Sequence, residues 1–127
     1  MIALLAPGLA LRLIAAWLPV SELVIRTLPD DAFIYFVIAR NLAAGLGATF
    51  DGLGPTNGFH PLWALMLAPI FYFFRSGDLP IHFALTLGAI CDTAAAAILG
   101  WVVWRRGRGF SRDPARAERE SGKPRSA

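Results

Sequence analysis

The sequence predicts an all-α integral membrane protein, with two transmembrane helices flanking an extracytoplasmic loop that carries two juxtamembrane helices, and a disordered basic C-terminal tail. Three observations carry this. The chain is 56% hydrophobic, above the roughly 45–50% of a soluble domain, and its mean hydropathy is +0.54. Charged residues make up only 17%, too few to cover a soluble surface. Two long apolar runs bracket a middle rich in aromatics and glycine. At 127 residues there is room for one small domain.

The first run, from Ile2 to Ile25, is interrupted only by Arg12, Ser21 and Glu22 among its polar residues. About 20 apolar residues cross a bilayer core, so the first span is expected over 3–24. Pro7 and Gly8 fall in its first turns. A signal peptide is the second reading. It lacks a basic leading segment and a clear small-residue cleavage site.

Leu28-Pro29-Asp30-Asp31 reads as a helix start. Phe33, Phe36, Val37 and Leu42 then recur at helical spacing, with Arg40 and Asn41 on another face. Gly45 is a suitable C-cap. The result is a short amphipathic helix over 32–44, suited to a membrane surface. Residues 45–58 hold five glycines, Pro55 and the turn dipeptide Asp51-Gly52, and read as loop. No glycine motif there leads into a helix as a nucleotide-binding fingerprint requires.

Pro61 to Phe74 is apolar but too short for a span, and it contains Pro69. Trp63, Phe71, Tyr72, Phe73 and Phe74 suit the membrane interface. Arg75-Ser76-Gly77-Asp78 ends it, and a second span follows over 81–104. His82 lies near its start, Asp92 near its middle and Trp104-Arg105-Arg106 at its end. Cys91 has no partner for a disulfide or a metal-binding pair and is expected to be a buried, inert thiol.

From Arg105 to Ala127 there are eight basic residues against three acidic ones. The positive-inside rule places such a tail in the cytoplasm. Two spans then put both termini in the cytoplasm and the 26–80 loop outside. Three spans would put the tail outside, against the rule. The segment 107–127 has no apolar period and is expected to be disordered. As a topology anchor it would meet anionic membrane lipid. It lacks the interleaved aromatics and folded platform of a nucleic-acid binder, so no nucleic-acid partner is expected.

Arg12 and Asp92 are the two charges deep in the spans. Alone, each would cost about 2.5–3.5 kcal/mol to insert. Counted from the outer ends of continuous helices their depths match, which predicts an intramembrane pair or two groups facing one polar cavity.

At the acidic pair the sequence becomes familiar. "LPDDAFIYFVIARNLAAGLGATFDG" followed by "TNGFHPLW" resembles the start of the GT-C superfamily of membrane glycosyltransferases, the polyprenyl-phosphate-sugar-dependent enzymes that include protein O-mannosyltransferases and lipid A aminoarabinose transferases. The match runs in order from about Leu4 to Arg106, so residues 1–106 are taken as one such N-terminal membrane segment. The resemblance implies a bacterial inner-membrane location, a polyprenyl-phosphate sugar donor and a cell-envelope acceptor. It makes Asp30 the first loop acid, a general base or positioning group, with Asp31 its neighbour. Two adjacent carboxylates repel, and repulsion makes one of them a better base. A divalent cation shared between them is the one cofactor left open, with no metal ligand otherwise assigned. Helix capping by one Asp, with the other favouring the helix dipole, is the structural alternative. His60 falls near the lipid phosphate by resemblance, and Thr56 and Asn57 would line the sugar site. Arg40 is a further phosphate-binding candidate, or else a solvated helix face.

Members of that superfamily carry many more spans. Two helices are not expected to enclose a lipid-phosphate pocket of several hundred cubic ångströms. The chain is therefore expected to be an N-terminal part, inactive alone, that works with a complementary membrane chain. The alternative is a non-catalytic small membrane protein whose apolar faces associate with partner helices or with a second copy.

Overall fold

The computed structural model describes residues 2–26 and 28–110. All regular structure among them is helical: α1 (Ile2–Ala16), α2 (Val20–Arg26), α3 (Asp30–Ala43), α4 (Pro61–Phe73) and α5 (Leu79–Phe110). α1 packs along α5, α3 packs on α4, and α4 also meets α5.

The first apolar run departs from expectation. The single helix over 3–24 is corrected to two helices that meet at 114°. Pro19 is the cause. Its ring collides with the carbonyl one turn back and it has no N–H to continue the ladder. It instead opens α2, its carbonyl accepting from the N–H groups of Glu22 and Leu23. Glu22 in the first turn and Arg26 in the last form an i,i+4 pair at 2.8 Å, each at the end its charge favours. Among the described residues one helix, over Leu79–Gly107, is long and apolar enough to cross a membrane. The α1–α2 unit passes the same test only as a broken pair.

α5 takes in the expected 81–104 segment and adds two residues at its start and six at its end. Asp78 opens it, accepting through its carbonyl from the N–H groups of Ile81 and His82. Its continuation to Phe110 puts the first residues of the segment expected to be disordered into helix. The remainder of that tail lies outside the described residues. Thr86 and Thr93 donate their hydroxyls to the carbonyls of His82 and Ala89, one turn back, so neither brings an unpaired donor into the apolar helix.

α3 starts two residues earlier than its apolar pattern, because Pro29 rather than an aspartate occupies the N-cap. Its C-terminus closes in a Schellman arrangement. Gly45, at φ +78°, donates to the Leu42 carbonyl and Leu46 donates to that of Asn41. The left-handed turn there is what requires glycine.

The core joins α2, α3, α4 and the first turns of α5. Leu23, Leu28, Phe36, Ala39, Leu67, Phe71 and Ala84 are buried together. Phe36 lies against Phe71 with ring centres 5.9 Å apart, and Phe74 stacks on Phe83 at 4.5 Å. Over residues 91–107 most α5 side chains are exposed. Cys91 is accordingly exposed, not buried as expected.

Candidate functional site

Asp30 and Asp31 occupy the first turn of α3, and both are exposed. The N-cap, Pro29, makes no side-chain cap hydrogen bond, and among the described residues neither aspartate side chain has a partner. They still favour the positive end of the helix dipole. The capping alternative therefore explains neither side chain by a bond, and two free carboxylates remain at the start of α3. Among the described residues no third His, Cys, Asp or Glu joins them in a group able to hold a metal ion.

Tyr35 lies one turn beyond Asp31 on the same face of α3. Its hydroxyl accepts from the backbone N–H of His60 at 3.1 Å, and the two rings lie parallel with centres 6.3 Å apart. His60 is the N-cap residue of α4, and Pro61 supplies the fixed φ of the first helical position. Tyr35 thus brings the exposed His60 ring to the face of α3 that carries Asp31. The sequence reading missed Tyr35, although its i,i+4 spacing from Asp31 was visible.

The loop between α3 and α4 is held by side chains. Asn41, expected on a polar face, is buried. Its amide donates to the carbonyls of Thr49 at 2.8 Å and Phe50 at 3.3 Å. Asp51 accepts from the backbone N–H groups of Leu53 and Gly54 and from the Thr49 hydroxyl. These donors hold its carboxyl below the ordinary value of 3.8, the Leu53 N–H contributing most. Thr56 accepts from the Phe50 N–H at 2.8 Å, so its hydroxyl has a structural partner. Asn57 is exposed between Thr56 and His60.

Below α3 lies an open cavity of about 320 Å³. Ala32, next to Asp31, lines it, with Leu23, Trp63, Ala84, Arg12 and Asp92 among the other wall residues. All five helices contribute. The two long apolar segments do not form the cavity alone, since the short helices supply part of its wall, and it stays open.

Arg12 Nη2 lies 2.8 Å from Asp92 Oδ2 at the wall of that cavity, and Nη1 donates to the Gly8 carbonyl at 3.2 Å. The equal-depth count does not describe how they meet. Arg12 is one turn from the end of α1, while Asp92 is well inside α5. The Arg12 side chain closes the difference. The same helix pair is pinned at the other end. His82 Nδ1 lies 2.7 Å from the Ala16 carbonyl, Trp17 Nε1 donates to Thr86 Oγ1 at 3.2 Å, and the Trp17 and His82 rings stack.

Arg40 does not join the acidic pair. It stands on the opposite side of α3 from Asp31 and lines a second cavity.

Comparison with models of protein families, with characterised proteins and with solved structures finds no match.

Proposed function

We propose that this chain is the donor-side N-terminal segment of a membrane glycosyltransferase of the GT-C type, which moves a sugar from a polyprenyl-phosphate carrier to a cell-envelope acceptor. The observation that carries the reading is the pair Asp30–Asp31. It is exposed, bonded to nothing among the described residues, and adjacent to an apolar cavity that Ala32 lines. In this reading α5 crosses the bacterial inner membrane, the broken α1–α2 unit is the other membrane segment, both termini are cytoplasmic and α3 and α4 lie outside.

Asp30 accepts the proton of the acceptor hydroxyl as its oxygen attacks the anomeric carbon. The bond from that carbon to the carrier phosphate breaks, and the electron pair leaves on the phosphate. His60 donates a hydrogen bond to the phosphate, Asn57 and Thr56 face the sugar, and Asp31 stands beside Asp30 as a second hydrogen-bond acceptor for the acceptor hydroxyl group. The chain acts with further membrane helices, supplied by a complementary chain or a second copy. Leu11, Ile14, Ile98, Leu99 and Val103 leave apolar surface exposed for them. The same surface favours a second reading, a non-catalytic membrane protein that associates with partner helices.

The test is a lipid inventory of the native host. Deleting the gene should make one polyprenyl-phosphate sugar accumulate, and an Asp30→Asn allele should fail to reverse it. An unchanged lipid pool would refute the transferase reading and leave the second.

A further inference from the structure

We propose that Arg40 and Arg75 hold the phosphate of a bilayer phospholipid in the cavity between α3, α4 and the start of α5, on the face of α3 away from the acidic pair. The cavity measures about 330 Å³, within the range of small-molecule sites. Its floor is aromatic, with Phe33, Phe36, Phe71 and Phe74 lining it. The two arginines are its charged lining residues.

Among the described residues neither arginine has a carboxylate partner. The ion pairs there are Arg12–Asp92 and Arg26–Glu22. Asp78 lies three residues beyond Arg75 but pairs with neither. Arg75 is held in place, its Nε donating to the Tyr72 carbonyl at 3.3 Å and its guanidinium lying 5.2 Å from the centre of the Tyr72 ring. That leaves its terminal nitrogens free, and a guanidinium presents them as a fork that matches phosphate oxygens. Two guanidiniums with no counter-charge facing one cavity call for an anion.

Position decides which anion. Pro80 and Ile81, from the first turn of α5, form part of the wall, so the site stands where the candidate span begins. The neighbouring Tyr72 and Phe73 are exposed, as ring side chains are at a membrane interface. A phosphate there, with hydrocarbon below it and aromatic walls beside it, is a lipid headgroup. The proposal rests on the reading that α5 crosses a membrane. It does not depend on sugar transfer.

The experiment is native mass spectrometry of the full chain in a neutral detergent, with phosphatidylglycerol as probe. The native chain should retain one lipid. Arg40→Gln/Arg75→Gln should retain at least tenfold less, Arg40→Lys/Arg75→Lys should keep part of the binding, and Arg106→Gln should behave as native. Circular dichroism would establish that each variant keeps its helices. Equal retention by the double glutamine variant overturns the site. Displacement of the lipid by an equal concentration of soluble glycerol phosphate also overturns it, since the site would then take free phosphate. Alkaline carbonate extraction separates the two layers of the argument. A chain that leaves the membrane brings down the membrane reading and this site with it. A chain that stays, with lipid retention indifferent to the arginines, brings down the site alone.

Discussion

Replacing Arg12 by leucine leaves Asp92 as a lone carboxylate in the middle of the candidate span Leu79–Gly107. An aspartate side chain is too short to reach either interface from there. The full cost of a central charge therefore applies, about 2.5–3.5 kcal/mol, or roughly 70- to 400-fold in the inserted fraction. Asp92→Leu should cost less, because Arg12 keeps the Gly8 carbonyl as a partner at 3.2 Å and lies one turn from the end of α1. The double leucine variant carries neither charge and should insert at least as well as the native chain, since an apolar pair replaces an ion pair that must be desolvated. Glycosylation mapping of both α1 and α5 in the full chain reads the inserted fraction of the pair directly. The expected order is Arg12→Leu worst, Asp92→Leu intermediate, and the native and double variants best. If the double variant lost as much as the two single changes together, the 2.8 Å contact would not be a functioning pair.

Three further predictions concern the loop between α3 and α4 and the proposed topology. Asn41→Ala strands the carbonyls of Thr49 and Phe50 and should destabilise the fold by about 1–3 kcal/mol, seen as a lower melting temperature in detergent, whereas an unchanged melt would mean that water replaces the amide. Asp51 has a lowered carboxyl pKa, so its stabilisation of the 49–54 turn is complete above the ordinary value of 3.8 and is lost as pH falls through the lower folded value. Amide protection at Leu53 and Gly54 should fall with acid in the native chain and be flat with pH in Asp51→Asn. With Cys91 changed to alanine, cysteines at Ser76 and Ser111 should react with an impermeant reagent from opposite sides of the membrane; labelling from one side would contradict the proposed topology.

What the sequence made legible were the features that local chemistry decides. Pro29 and the acidic first turn mark the start of α3, Gly45 marks its end, and Pro61 marks the start of α4. The break in the first apolar run was also written there, in Pro19, but summed hydropathy hides one proline among so many apolar neighbours. Features made by distant contacts were not legible. Asn41 looks like a surface residue by periodicity and is buried only because the 49–50 loop folds over it. Cys91 looks buried by composition and is exposed because it lies on a stretch of α5 whose side chains are mostly uncovered. The two cavities follow from how short helices close over one another, which no spacing within a helix reveals. Of the candidate site, the acidic pair and His60 were visible as residues, while Tyr35 as their link was not.

The proposed transfer needs a polyprenyl-phosphate sugar held beside the acidic pair, with Asp30 acting on the acceptor hydroxyl and His60 on the donor phosphate. Its most direct test is native mass spectrometry of the chain purified from its host in mild detergent, compared with Asp30→Asn and His60→Ala. A co-purifying polyprenyl-phosphate sugar, or a complementary membrane chain that carries one, is expected, kept in Asp30→Asn because transfer stops and reduced in His60→Ala. A chain that holds no such lipid would contradict the transferase reading and leave the pair as charges that favour the first turn of a surface helix.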